Sequence, residues 1–115
     1  MPAGKYDFVI EQGATFTLTL TLTRPNKLPL NLTGYQVKAV LKRPPPDTSR
    51  IAVITSTIQN PPSDGKIVLS IPYTETKQMN FINGIYDVVL KAPTGEVVRV
   101  LQGKVTFSPE VTSWD

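Results

Sequence analysis

The 115-residue chain contains neither cysteine nor histidine, and these two absences narrow its chemistry from the outset. Without cysteine it can form no disulfide, no thiolate metal site and no thiol nucleophile, so packing and hydrogen bonds must stabilise it. Without histidine it lacks the side chain most often used as a general base near neutral pH, which is also the commonest metal ligand. We therefore expect a protein that is not an enzyme and that has no catalytic residues, no cofactor and no metal site.

Long apolar runs and concentrations of charge are missing as well. No segment approaches the roughly 20 apolar residues that span a bilayer, and the first residues lack the apolar stretch of a secretory signal. The net charge of +3 arises from 12 Lys and Arg against 9 Asp and Glu, and Lys42 and Arg43 are the only adjacent cations. Dispersed charge indicates a solvated surface, so we expect neither a membrane nor a nucleic acid as partner.

The acidic residues and glycines form no motif typical of catalysis. The nine acids are scattered, mostly at predicted strand ends and turns, and no pair stands out for glycoside hydrolysis. No glycine-rich loop of the kind that cradles phosphate is present. Residues 31–33, Asn-Leu-Thr, fit the N-glycosylation pattern, but without an export signal we interpret them as turn chemistry.

The clearest positive signal is the strict alternation of large apolar residues with threonine over residues 16–23. Because successive side chains of a strand point to opposite faces, this period of two predicts a strand with one buried face. Its apolar residues should line the core, and its threonines should face water or a partner. The apolar set is Phe16, Leu18, Leu20 and Leu22.

Further strands are predicted between clusters of proline and glycine, which end helices and interrupt ladders. They cover residues 6–11, 35–42, 51–58, 67–71, 83–90 and 97–107. Both faces of 51–58 are apolar, so its inward face stays open. Residues 74–79 form the only plausible helix, a single turn with Thr74 as a possible N-cap, and Gly103 is a candidate bulge in the last strand.

This pattern predicts one all-β domain over residues 1–115, with residues 108–115 as a C-terminal tail. Its fold class is an antiparallel two-sheet immunoglobulin-like sandwich of about seven strands, with a small barrel as the alternative. The deciding detail is Tyr86, two residues before the core position Val88, which is typical of a tyrosine corner. In that interpretation the Tyr86 hydroxyl bonds main chain upstream and pins the connecting loop. The alternative is a tyrosine that packs in the core.

Three further features are candidates for contact with a partner. One is the loop after the strand at 35–42, whose prolines should stiffen an extended arm beside two cations, Lys42 and Arg43, suited to a carboxylate-bearing surface. Its expected contacts are Arg43, Pro44, Pro45, Pro46 and Asp47, and a rigid solvated loop is the alternative. Another is Trp114, either an interface anchor or a side chain tucked back on the domain. The third is the edge strand at residues 6–11, with Tyr6 and Phe8. The threonine face of residues 17–23 is either a flat surface that stacks beside another subunit or, as the simpler interpretation, solvated.

Four segments together resemble a group of small tailed-bacteriophage structural proteins: residues 7–16, 31–35, 84–88 and 103–112. This resemblance implies a β-sandwich domain associated with the virion, particularly its tail or baseplate, and no catalytic residues. It implies other phage structural proteins as partners in a symmetric multi-copy assembly, reached after synthesis in the host cytoplasm. The triple proline after Arg43 departs from the group.

Two alternative functions stay open. A capsid decoration or cement protein on the phage head would resemble a tail component in sequence. A carbohydrate or receptor-binding module would show exposed aromatic residues in its loops, for which Tyr35, Tyr73 and Phe81 are the few candidates.

Overall fold

The computed structural model describes residues 4–47 and 49–113, and these fold almost entirely as β-structure. The strands are β1 Gly4–Lys5, β2 Phe8–Glu11, β3 Phe16–Thr21, β4 Gln36–Lys42, β5 Arg50–Ile58, β6 Lys66–Ile71, β7 Asn83–Lys91 and β8 Val97–Ser108. Among the described residues, helix is limited to a 3-10 turn at Pro62–Asp64 and to α1, Tyr73–Thr76. The all-β prediction is therefore confirmed.

The short helix begins earlier than its sequence pattern predicted. Pro72 occupies the N-cap position of α1 and makes no side-chain capping bond, so Thr74 lies inside the helix. The prediction of Thr74 as N-cap was wrong, because the fixed φ of proline suits a helix start and admits Tyr73 as the first helical residue. Met79 and Phe81, which follow α1, are buried in the core.

The strands form one hydrogen-bonded path in the order β1-β8-β7-β4-β5-β6-β3, with β2 also paired to β8. Strand β5 joins two parts of this path, since residues 50–54 pair with β4 and residues 55–58 pair with β6. Its inward face, left open by the sequence, is the one that carries the buried Ile54.

The ladders β3/β6, β4/β5, β4/β7, β5/β6 and β7/β8 are antiparallel. Both β1 and β2, however, run parallel to β8. The expectation of a wholly antiparallel arrangement was therefore wrong at this edge. Alternation within a strand does not reveal the direction of a neighbour that lies far away in the chain, and here the paired positions, such as Phe8 and Val105, are 97 residues apart.

The sheet curls so that its two ends meet. Phe8 of β2 stacks on Phe16 of β3 with ring centroids 4.6 Å apart, although these strands lie at opposite ends of the path. The concave side holds the core, whose fully buried aliphatic residues are Ile10, Leu32, Leu41, Ile54, Ile67, Leu69, Ile71, Val88 and Val105. Burial of such side chains, at about 25 cal/mol for each Å² removed from water, is the main force behind the curl.

The side chains of β3 alternate between the two predicted faces, but those on the inner face are less buried than predicted. Its apolar side chains Phe16, Leu18 and Leu20 pack against the core yet stay half-buried. Their ladder partners on β6, such as Leu69, are fully buried. The difference arises because β3 is the last strand of the path, and no described strand covers its outer edge.

Candidate functional site

Between β1 and β2, two side-chain hydrogen bonds fasten the N-terminal segment to the sheet, one to β7 and one to β8. The Tyr86 hydroxyl donates a hydrogen bond to the carbonyl oxygen of Tyr6 at 2.5 Å. The carboxylate of Asp7 accepts one from the main-chain N–H of Lys104 at 2.8 Å, in place of a ladder carbonyl. We call this group the N-terminal clasp, comprising Tyr6, Asp7, Tyr86, Gly103 and Lys104.

Within the clasp, Gly103 lets β8 approach the main chain of Tyr6 closely. A Cβ at this position would collide with the carbonyl oxygen of Tyr6, so any side chain would push the N-terminal segment away from β8. The prediction of a bulge at Gly103 was wrong. The irregularity in the β7/β8 ladder lies between Val88 and Val89, opposite Leu101 and Arg99.

The Tyr86 side chain is buried, and its environment keeps its hydroxyl protonated. Burial, followed by the negative charge of Asp7, raises the pKa of Tyr86 to about 12. The acceptor Tyr6 lies 80 positions upstream, whereas a tyrosine corner would pin the loop that leads into its own strand. The structure thus corrects the expected hydrogen-bond acceptor of Tyr86. The main chain beside its hydroxyl is that of Tyr6 in the N-terminal segment.

The two aromatic residues predicted as edge contacts have different surroundings. The Tyr6 side chain is 46% exposed at the rim of the sheet, so its ring is accessible to a partner. The ring of Phe8 is half-buried and packs against Phe16 and Tyr86, each at a centroid distance of 4.6 Å. Phe8 therefore contributes to the internal packing, and its contact with a partner stays a prediction.

The loop between β4 and β5 is a closed turn. Its ends meet where the main-chain N–H of Arg43 donates to the carbonyl of Ser49 at 2.8 Å, and residues 45–47 form the turn. The expected extended arm was wrong, because antiparallel β4 and β5 force the chain to reverse here. The Arg43 guanidinium donates to the Asn80 carbonyl at 3.0 Å and lies 4.0 Å from the Asp47 carboxylate.

The prolines of this loop are exposed to solvent. Pro44, Pro45 and Pro46 are all exposed, while Arg43 fastens the base of the loop to the segment after α1. A cleft of about 620 Å³ lies beside Arg43, lined also by Arg50, Val53 and Glu75. The predicted contact loop is thus a supported, exposed surface, and its contact with a partner stays a prediction.

A second cleft, of about 670 Å³, lies on the outer face of β4, β7 and β8 beside the clasp. Its aliphatic floor includes Val40 and Ile85, and cations from several strands surround it: Lys5, Lys42, Arg99 and Lys104. Asp87 pairs with Arg99 at 3.1 Å. Sequence reasoning missed this cationic cleft because its charges are far apart in the chain and meet only through the β4/β7/β8 registers.

Gln12 was also missed, since the sequence showed it only as part of a break between strands. Its side-chain amide donates to the carbonyl of Lys77 at 3.1 Å, and its side-chain oxygen accepts from the N–H of Glu110 at 3.1 Å. Its main-chain N–H donates to the carbonyl of Ser108 at 2.9 Å. Gln12 therefore joins the segment after α1 and the end of β8 to the turn before β3.

The remaining predicted residues divide between exposed, buried and undescribed positions. Tyr73 is partly exposed, Tyr35 is half-buried, and Phe81 is buried against Phe107 at a centroid distance of 4.7 Å. Phe81 is thus unavailable to a glycan. Trp114 lies outside the residues that the structure describes.

Within residues 4–47 and 49–113 no three acidic side chains gather as metal ligands, and no helix is long and apolar enough to cross a membrane. In the same part of the chain no buried side-chain nitrogen or oxygen lacks a hydrogen-bond partner. A comparison with protein-family models found no match, and a search of curated proteins found none that matches the sequence.

Proposed function

We propose that the protein is a non-enzymatic structural component of a bacteriophage virion, serving as an adaptor or accessory domain of the tail or baseplate. The resemblance to small tailed-phage structural proteins suggests this role. One observation supports it most strongly: three of the four resembling segments are in contact. Residues 7–16 meet residues 103–112 through the bonds from Lys104 to Asp7 and from Glu110 to Gln12, and residues 84–86 pair with residues 103–105 in the β7/β8 ladder.

The fourth segment, residues 31–35, also holds the framework together. The side-chain oxygen of Asn31 accepts from the N–H and the hydroxyl of Thr33, which fixes a tight turn. Between them Leu32 is fully buried, and its N–H donates to the carbonyl of Pro62 at 2.9 Å. Because the resembling residues position strands, the resemblance concerns the fold as a whole. This supports applying the resemblance to the entire domain.

The finer fold that accompanies this role is an immunoglobulin-like sandwich. In this proposal β2, β8, β7, β4 and the first half of β5 form one layer, and β3, β6 and the second half of β5 form the other. The change of partner within β5 and the Phe8–Phe16 contact between the ends of the path support two facing layers.

In this role the domain works by assembly. The exposed proline loop, the cationic cleft and the Tyr6 ring lie on surfaces that other phage structural proteins can contact. Symmetry repeats each contact around the particle, so that individually modest interfaces together hold the component in place. The absence of cysteine and histidine from the sequence supports a role without catalysis.

Immunogold electron microscopy of purified particles, with antibodies raised against the recombinant chain, tests the proposal. Label at the tail or baseplate is the expected result. Label over the head would instead indicate a capsid decoration protein, and unlabelled particles together with a signal on a glycan array would indicate a recognition module.

A complementation assay then tests the proline loop. Variants of the chain are supplied to particles that lack the native protein, and their incorporation is measured. Replacing Pro44, Pro45 and Pro46 with serine should reduce incorporation, because the flexible loop would lose more entropy on docking. Pro25→Ser, at an exposed proline of another turn, is the matched control and should incorporate normally. Equal incorporation of both variants would remove the loop from the interface.

A further inference from the structure

The outer edge of β3 presents unpaired main-chain groups. Leu22 continues the β3/β6 register, and its N–H donates to the carbonyl of Gly65 at 2.8 Å, so the even-numbered residues direct their main-chain groups toward β6. Because this direction alternates along a strand, the N–H and C=O groups of Thr17, Thr19 and Thr21 point to the open side. No strand among the described residues pairs with them there.

This edge carries none of the features that usually block strand addition. Residues 16–21 contain no charge, no proline and no glycine, and the strand is continuous over six residues. The opposite edge of the sheet is different, since β1 has two residues, β2 has four, and the clasp interrupts them. A continuous uncharged edge is an open template for pairing, whereas short, interrupted and charged edges resist it.

The hairpin after β3 leaves the edge accessible. Residues 22–30 fold back in line with β6, as the bond from the Leu30 N–H to the Leu22 carbonyl at 2.9 Å shows. The half-buried state of Leu18 and Leu20 gives a second reason for pairing, because an added strand would cover apolar surface that the isolated chain exposes.

We propose that β3 pairs with β3 of a second copy of this chain, antiparallel about a two-fold axis at Thr19. In this register Thr19 faces Thr19, Thr17 faces Thr21, and Leu18 faces Leu20 of the second copy. Directly opposed residues of antiparallel strands share a face, so every apolar residue meets an apolar one and every threonine meets a threonine. The threonines occupy the hydrogen-bonded positions, which gives about six main-chain bonds across the axis.

The strand is thus complementary to itself in sequence, in face and in hydrogen-bond direction, which makes a second copy the fitting partner. The interface is isologous, as expected of a two-fold dimer. This pairing concerns the isolated chain and does not depend on a place in a virion.

Analytical ultracentrifugation of the purified chain over a concentration series tests the pairing. The wild type should show a monomer–dimer equilibrium. Thr19→Lys places two cations opposite each other at the axis and should weaken the dimer about tenfold or more. Thr19→Glu should have the same effect with opposite charge, and an equimolar mixture of the two variants should recover a heterodimer.

Thr57→Lys is the matched control. Thr57 is an exposed threonine on β5 that faces the same β6 residue, Val68, as Thr19 does, but it lies away from the edge. It should leave the dimer unchanged, and circular dichroism should show that all variants are folded. A wild type that stays monomeric at every concentration, equal effects of Thr19→Lys and Thr57→Lys, or a mixture that fails to associate would each overturn the proposal.

Discussion

Replacing Tyr86 with phenylalanine isolates the bond that fastens the N-terminal strand to the rest of the sheet. The ring keeps its packing against Phe8, while the hydroxyl that donates to the Tyr6 carbonyl is lost. A hydrogen bond of this kind contributes about 1 kcal/mol net to the free energy of unfolding. In a domain of this size that loss should lower the melting temperature by about 4 °C at pH 7.

The pH dependence gives this prediction a second, independent readout. In the folded protein Tyr86 has a pKa of about 12, and in the unfolded chain it should titrate near its ordinary value of about 10. Between about pH 10 and pH 12 the folded state keeps the hydroxyl proton of Tyr86, whereas the unfolded state has released it. Raising the pH through this range therefore favours unfolding. The contribution of Tyr86 is complete below pH 10 and is lost at about 1.4 kcal/mol for each pH unit up to 12.

Phenylalanine has no such proton, so the difference in the free energy of unfolding between wild type and Tyr86→Phe should change with pH. Urea unfolding followed by circular dichroism at pH 7, 9, 10 and 11 measures it, with Tyr73→Phe as a control at a partly exposed ring. The wild-type advantage should hold to about pH 10 and then shrink or reverse. A constant difference across this range, or equal stability at pH 7, would refute the reasoning about the clasp.

Three further substitutions probe the clasp and the core. Gly103→Ala should cost about 1–3 kcal/mol in thermal unfolding because its Cβ displaces the Tyr6 carbonyl, while Gly4→Ala, whose Cβ meets only ordinary contacts, should be nearly neutral; equal effects would contradict the close approach. Asp7→Ala should lose about 1 kcal/mol and speed amide exchange at Lys104, and unchanged exchange there would rule out the bond. Leu69→Ala should cost about 2–5 kcal/mol in urea unfolding and Leu20→Ala clearly less, and the reverse order would contradict the graded burial.

The strands were predictable because their residues obey a local rule. Alternation in 16–21 and 36–42 reflects one buried face, and prolines and glycines marked the turns between strands. The N-terminal strand was also predicted, but its parallel pairing with β8 was not, because pairing direction depends on residues 97 positions away, as between Phe8 and Val105. Tyr86 was singled out correctly as a hydrogen-bonding tyrosine, yet its acceptor at Tyr6 is set by that same distant pairing.

The candidate surfaces were predicted less completely than the strands. The proline loop was identified from its composition, but its closure by the bond between Arg43 and Ser49 depends on the β4/β5 register. The cationic cleft was not foreseen because Lys42 and Lys104 are separated by 62 positions and meet across β7 opposite Ile85. Side chains that gather across several strands leave no local pattern in a sequence.

The central structural claim is a curled sheet with its N-terminal strand clasped to β8 and its β3 edge open. Residue-resolved amide hydrogen exchange by NMR, at a concentration where the chain is monomeric, tests it most directly. Slow exchange is predicted for Leu18, Leu20 and Lys104, and fast exchange for Thr17 and Thr19. Uniform protection along β3, or an unprotected amide at Lys104, would contradict this arrangement.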